Sequence, residues 1–411
     1  MESLKSQFKI KSRGNAQQFF TLAILFLLPF YFIKLKYGWI SFNLPELLIT
    51  VLFLFWIFNK SDKYEIRNTK YEIPVALIIT GLLLSAIINK NYYTGLGILK
   101  GWFVLPMIFA AIFFDNLKKN KELLSWSLQA LFYSGVFVSI EGIYYWFSGL
   151  LAYDGRLRIY YDSPNQLAMF LSPLFIISLF LFLKEKEKIK KFIFGIGLAI
   201  IGLNLYFTFS YGAWLAAGVS LGVVFWLIYS KFLKKKIVAP IIILLVVFLA
   251  GATYGKLASI EKENLRSSLA SRTIIWKSAG LMLKNNPLFG IGPGNFQEKY
   301  LEYQKYFPPY LEWAVPQPHN LFLAFWLESG LAGLFGFVFL LVQFFRDNKK
   351  AIGNNRLYGS LCLALMLYFL IHGLVDTTYW RNDMAILFWA VIAVNFYLAA
   401  GSLGSALRRS G

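Results

Sequence analysis

Cysteine, histidine and acidic residues are all scarce in this 411-residue chain. A lone cysteine, Cys362, can close no internal disulfide, so a disulfide scaffold is excluded. There are only two histidines, His319 and His372, and no pair of histidines or run of carboxylates has metal-ligand spacing. Neither a phosphate-cradling Gly-x-x-x-x-Gly-Lys-Ser/Thr loop nor a dinucleotide fingerprint occurs, which leaves cytoplasmic ATP chemistry without support. Charged residues make up 15% of the chain, against about 25% in an average soluble domain, and an ordinary soluble protein is thereby excluded. Internal repeats and low-complexity tracts are absent as well.

Hydrophobic residues fill the space: 58% of the chain, with 19% aromatic. Forty-one Phe and 24 Tyr cannot stay solvated, so the chain is not disordered. A hydrophobic pass finds twelve apolar cores, each lengthened by its flanks toward the roughly 20 residues a bilayer requires. They run over residues 19–33, 44–58, 73–88, 98–114, 123–147, 167–183, 192–209, 213–229, 237–254, 321–345, 357–375 and 384–398. The expectation is an all-α polytopic membrane protein with about twelve spans, a single integral membrane domain over 1–411. The basic start followed by a long apolar stretch, without a small-residue cleavage site, reads as a retained first helix and not as a signal peptide.

The net charge of +20 points to the membrane and not to nucleic acid. With the N-terminus inside, 26 of the 41 Lys and Arg fall in cytoplasmic segments, and eight of the other 15 lie in one long loop where the charge rule has little force. Both termini are therefore expected in the cytoplasm. That long loop, 255–318 between the ninth and tenth spans, is expected on the outer side. Within it, Ser271 to Met282 reads as a capped amphipathic helix ending near Asn286-Pro287 and lying on the outer membrane surface. Gly290-Ile291-Gly292-Pro293-Gly294-Asn295 follows, a turn that lets backbone approach something closely, with phosphate cradling the weaker reading.

This topology puts both histidines at outer helix ends. His319 opens the tenth span as Pro318-His319-Asn320 and reads either as a proton acceptor near neutral pH or as a helix-capping residue. His372 stands four residues before Asp376, a spacing that predicts a hydrogen-bonded pair on one helix face. Arg156, Arg158, Arg266, Arg272 and Arg381 also lie outside. Their guanidinium forks match phosphate oxygens, although Arg266 and Arg381 read more readily as solvated loop charges. Glu46, Lys100, Glu141 and Glu328 are ionisable groups inside spans, either functional or held in structural hydrogen bonds. With no Asp-x-Asp pair in an outer loop, any chemistry is expected to need neither metal nor cofactor.

Between Gly155 and Trp389 the order of these features resembles the O-antigen ligase and O-antigen polymerase family of bacterial membrane glycosyltransferases. Gly155-Arg156 followed by Pro164-Asn165-Gln166-Leu167-Ala168 is similar to the family's Arg then Pro-Asn-x-x-Ala. Ser271-Arg272-x-x-x-Trp276, Asn286-Pro287-Leu288-Phe289-Gly290, His319-Asn320 and Glu328-x-Gly330 look like its large outer loop and the helix behind it. His372-x-x-x-Asp376 is similar to its C-terminal region. One departure stands out: Tyr211, in Ser210-Tyr211-Gly212, occupies the place of the family's Arg in Ser-Arg-Gly, and Arg156 or Arg158 is expected to compensate.

The resemblance implies an enzyme of the bacterial cytoplasmic membrane that moves a glycan from a polyprenyl (undecaprenyl) diphosphate carrier to an acceptor hydroxyl on the outer face, without metal and with inversion. It implies His319 and Arg272 as catalytic residues. Arg156, Arg158, Arg266, Tyr211, Asn165, Asn320, Glu328, His372 and Asp376 are expected around the substrate. A ligase acceptor would be a lipid, protein or other surface molecule; a polymerase would use a second lipid-linked repeat. A twelve-span transporter or lipid flippase, or a membrane scaffold, are readings from other classes.

Overall fold

The computed structural model describes residues 16–38, 40–58, 70–229, 268–308 and 315–407. Helix α1 (Ala16–Phe26) leads through a short 3-10 turn (Leu28–Phe32) into an antiparallel hairpin of β1 (Lys34–Tyr37) and β2 (Ile40–Asn43), in which Leu35 faces Phe42 and Tyr37 faces Ile40. Then follow α2 (Leu44–Phe58), α3 (Glu72–Ile88), α4 (Tyr92–Lys119), α5 (Glu122–Phe147), α6 (Pro164–Lys184), α7 (Lys188–Phe207) and α8 (Tyr211–Tyr229). The remaining helices are α9 (Ser268–Asn285), α10 (Phe296–Tyr303), α11 (Leu321–Asn354), α12 (Arg356–Gly373) and α13 (Asn382–Leu407).

Helices lie on eleven of the twelve apolar cores; the expected ninth span, 237–254, falls outside the described residues. Among the described residues, seven helices are long and apolar enough to cross a membrane: α4, α5, α6, α7, α11, α12 and α13. The helices α1, α2, α3 and α8 are apolar but shorter. This is a multi-pass membrane protein.

Local chemistry sets the helix ends that later position the site. Ser163 caps α6 by accepting from Gln166 N, with Pro164 at the first position, where its missing N–H leaves no bond unmade. Asn320 caps α11 by accepting from Phe322 N and Leu323 N at 3.0 Å each. The cap is therefore Asn320 and not His319. In α4 the turn widens over Leu99–Val104, just before Pro106, which has no N–H to give to the ladder.

Helix α11 is central, packed against α3, α12 and α13. Its contact with α3 is a backbone-to-backbone approach. A Cβ at Gly81 would come within 2.5 Å of Ser329 O, and one at Gly336 within 2.8 Å of Pro74 O, so small residues permit the close packing from which apolar bundles gain most.

α11 is also broken. Gly330 has φ 65° and ψ −171°, outside the helical region. The glycine-rich turn supplies what the break leaves unpaired: Ile291 N donates to Leu327 O (2.7 Å) and Leu331 N donates to Leu288 O (2.9 Å). The close approach expected of this turn is thus to the backbone of α11.

Two expectations for the 255–318 loop are corrected. Helix α9 has formed by Ser268, so Ser271 lies in its first turn and does not cap it. Its apolar side is not left for a membrane surface: Ile275, Ala279, Met282 and Leu283 pack with Ile291, Phe296, Tyr300, Val315 and Leu327 in a core of their own. A face that finds protein partners needs no lipid to remove it from water.

Candidate active site

Three segments far apart in sequence converge at the head of α11. The turn between α12 and α13 brings Asp376, the residue before the α11 cap is His319, and the first turns of α9 bring Arg272. His319 Nδ1 is 3.0 Å from Asp376 Oδ1, and Arg272 Nη2 is 3.8 Å from Asp376 Oδ2. Arg272 Nε–H also donates to Val375 O at 2.7 Å. Asp376 is 2% exposed at its side chain, His319 30% and Arg272 17%, so the carboxylate lies beneath an accessible imidazole and guanidinium.

Burial by itself would raise the Asp376 pKa. His319, through its charge and its hydrogen bond, together with His372 and Arg272, outweighs burial and holds the carboxyl well below the usual carboxylate range. An ionised carboxylate only accepts, so Nδ1 is the nitrogen that donates to it, and in a neutral imidazole held this way the lone pair is on Nε2. Thr377 N donates to the same Oδ1 at 2.9 Å and fixes the carboxylate further.

The expected His372–Asp376 hydrogen bond does not form. Helix α12 ends at Gly373, so Asp376 lies beyond it, although its backbone N still donates to His372 O at 2.9 Å, and its carboxylate goes to His319. Buried His372 instead places Nδ1 2.9 Å from the Tyr368 hydroxyl. The i,i+4 rule holds only while the helix continues.

Side chains on both flanks of His319 tie it to the Asp376 turn. Gln317 Nε2 donates to Trp380 O (3.0 Å), Thr377 Oγ1 bonds to Gln317 Oε1, and Asn320 Nδ2 donates to Leu374 O (3.0 Å). The start of α8 closes another side. A Cβ at Gly212 would sit 3.1 Å from Val375 Cγ2 and 3.6 Å from His372 Nε2, which puts the Tyr211-Gly212 step beside the Asp376 turn.

The other expected residues fall elsewhere. Arg156 pairs with Asp154 (2.6 Å) and donates to Asn165 Oδ1 (3.4 Å) at the head of α6. Arg158 is exposed and makes no ion pair among the described residues; Arg266 lies outside them. Glu328, buried at 2% exposure, accepts from Gly294 N at 3.2 Å and so belongs to the packing of the glycine turn on α11. Glu46 pairs with Lys100 at 2.7 Å and accepts from Asn382 Nδ2 at 2.7 Å.

Arg381 corrects the solvated-charge reading. It is 8% exposed, grips Asp383 through Nε (2.6 Å) and Nη2 (2.8 Å), and donates through Nη1 to Gln166 O (3.0 Å). Its guanidinium also lies 4.9 Å from the Tyr161 ring centroid. Asp383, two positions on, is the local part of this arrangement; Gln166 and Tyr161 come from another part of the chain. Trp276 and Gln317 likewise join the site only through the fold.

The fold and this cluster define a polytopic α-helical membrane protein in which a buried aspartate orients a histidine beside an arginine. Residues 196–338 match a family described as O-Antigen ligase, and the resemblance read from the sequence is borne out. The matched stretch contains Tyr211, Arg272, His319, Asn320 and Glu328. A protein from Haemophilus influenzae (strain ATCC 51907 / DSM 11121 / KW20 / Rd), described as "Uncharacterized protein", is 23% identical over 217 residues, covering 48% of this chain and 53% of that protein. The chain thus spans about half the length of the curated relative it matches.

Proposed function

We propose that this chain is a ligase-type glycosyltransferase that moves a glycan from a polyprenyl diphosphate carrier to an acceptor hydroxyl on the outer face of the bacterial cytoplasmic membrane. Twelve spans with both termini inside and the 255–318 loop outside are the topology that goes with this reading. The observation that carries it is the Asp376–His319 pair with Arg272 beside it.

His319 Nε2 takes the proton of the acceptor hydroxyl as its oxygen bonds to the anomeric carbon. The bond from that carbon to the diphosphate oxygen breaks, and the diphosphate leaves with the electron pair. Asp376 holds the imidazole in the proton-accepting tautomer and stabilises its charged form once the proton has arrived. Arg272 neutralises the charge that grows on the diphosphate, the work a metal ion does in other transferases. Attack opposite the leaving group inverts the anomeric centre.

The test is transfer from a purified lipid-linked donor in proteoliposomes. His319→Ala should lower turnover about a hundredfold or more, the usual share of general-base help. Turnover within a few-fold of the unaltered protein would overturn the assignment. Supplying the donor without any other acceptor separates the two acceptor classes: a ligase stays silent, whereas a polymerase elongates the donor.

A further inference from the structure

His319 is one of four non-glycine residues with positive φ among the described residues, at 47°. A histidine in that region is uncommon and persists only when its surroundings hold it there. The direction of the imidazole depends on this backbone, because the side chain leaves a residue caught between a Pro318 peptide and the Asn320 cap of α11.

One side chain grips that backbone from another element. Trp276 Nε1–H donates to Pro318 O at 3.1 Å and, at a longer 3.4 Å, to His319 O. Trp276 stands four residues after Arg272 on α9, hence on the same helix face. The two side chains hold the two halves of the site: Arg272 grips the Asp376 turn through Val375 O, and Trp276 grips the carbonyls on either side of the His319 α-carbon. The α9 helix is itself fixed against α11 by the core of Ile275, Ala279, Met282 and Leu327.

We infer that Trp276 is a positioning residue: its indole N–H holds the His319 backbone in the left-handed conformation that aims Nδ1 at Asp376, and sets His319 in register with Arg272. It touches no reacting atom. Displacements of about 1 Å at a reacting group lower rates by as much as a hundredfold, so one hydrogen bond to this backbone has leverage on turnover. The inference rests on the reading of His319 as the acceptor base, and its structural half can be tested without that reading.

Two histidines make the test direct. In protein labelled with ¹⁵N-histidine, Ala substitution at residue 319 assigns the two imidazoles. Trp276→Phe, which keeps an aromatic ring and deletes the N–H, should move the His319 Nδ1–H resonance away from its strongly hydrogen-bonded position and leave His372 in place. In the transfer assay Trp276→Phe should lower kcat roughly tenfold to a hundredfold with little change in donor KM, and add no loss in the His319→Ala background. If Trp276→Phe does not accumulate, benzothienylalanine at 276 deletes the N–H and keeps the bicyclic shape.

An unmoved His319 resonance with kcat within twofold of normal would overturn the inference. So would an equal proportional loss with and without His319, since Trp276 would then act by another route. An active His319→Ala protein combined with a moved resonance would sink the base assignment and leave the positioning role standing.

Discussion

His319 Nδ1 lies 3.0 Å from Asp376 Oδ1 although 57 residues separate them, and this pair fixes which imidazole nitrogen faces away from the protein's own carboxylate. Replacing Asp376 by Asn keeps the shape but offers an amide that can present N–H to Nδ1 and favour the wrong tautomer. Asp376→Asn should reduce turnover about a hundredfold or more, and the double variant with His319→Ala should be little worse than either alone. Steady-state transfer with a lipid-linked donor measures both.

The same carboxyl makes stability depend on acid. Its folded pKa is depressed, so the unfolded chain binds the proton more readily, and the contribution of Asp376 is fully present above the ordinary carboxylate value and lost as pH falls below it. The difference in apparent melting temperature between the unaltered protein and Asp376→Asn should shrink between about pH 4, near the unperturbed Asp pKa, and lower pH. Thermal unfolding in detergent across that range checks it, and a difference that grows with acid contradicts it.

Arg272 tests donor binding separately from proton transfer. Its guanidinium already spends Nε–H on Val375 O, so a lysine cannot hold that carbonyl and also present a fork to a diphosphate. Arg272→Lys should lower kcat/KM roughly tenfold or more, because an ammonium offers phosphate oxygens a point charge in place of two parallel N–H donors. Donor titrations that match the unaltered protein in both constants would place the diphosphate elsewhere.

Arg381 should matter for folding and not for chemistry. Removing one partner of a buried ion pair leaves the other charge uncompensated, and Arg381→Ala should destabilise by about 3–5 kcal/mol. Loss of the monodisperse peak in size-exclusion chromatography, or a markedly lower melting temperature, is the expected outcome. An unchanged melting temperature would show that Asp383 has found another partner.

The break in α11 makes a sharper demand. Gly330 has φ 65°, and a Cβ there would collide with Leu288 O. Gly330→Ala should destabilise by about 2 kcal/mol or more from backbone strain and the displaced turn together. Limited proteolysis should then cut between Asn286 and Asn295, a region protected in the unaltered protein by its bonds to Leu327 O and Leu331 N.

Helix positions were legible because an apolar run long enough for a bilayer satisfies its backbone as a helix whatever surrounds it. Arg272 and His319 were legible as residue types suited to the proposed chemistry, and Asp376 as the hydrogen-bonding partner of a histidine. Their grouping was not. Local spacing pointed to His372 as the partner of Asp376, and a helix ending at Gly373 defeated it. Arg381 looked like a loop charge because two of the groups that bury it, Gln166 O and Tyr161, are more than 200 positions away in the chain, and only Asp383 is near in sequence.

Composition and apolar periodicity determined that this chain enters a bilayer as a bundle of helices, since transfer of nonpolar surface depends on what residues are and scarcely on what they meet. Pairing is another matter. Which carboxylate orients His319, which carbonyls Trp276 grips and where α11 breaks were decided only by tertiary packing, because hydrogen bonds act over about 3 Å and require a direction. Only the closed fold supplies both.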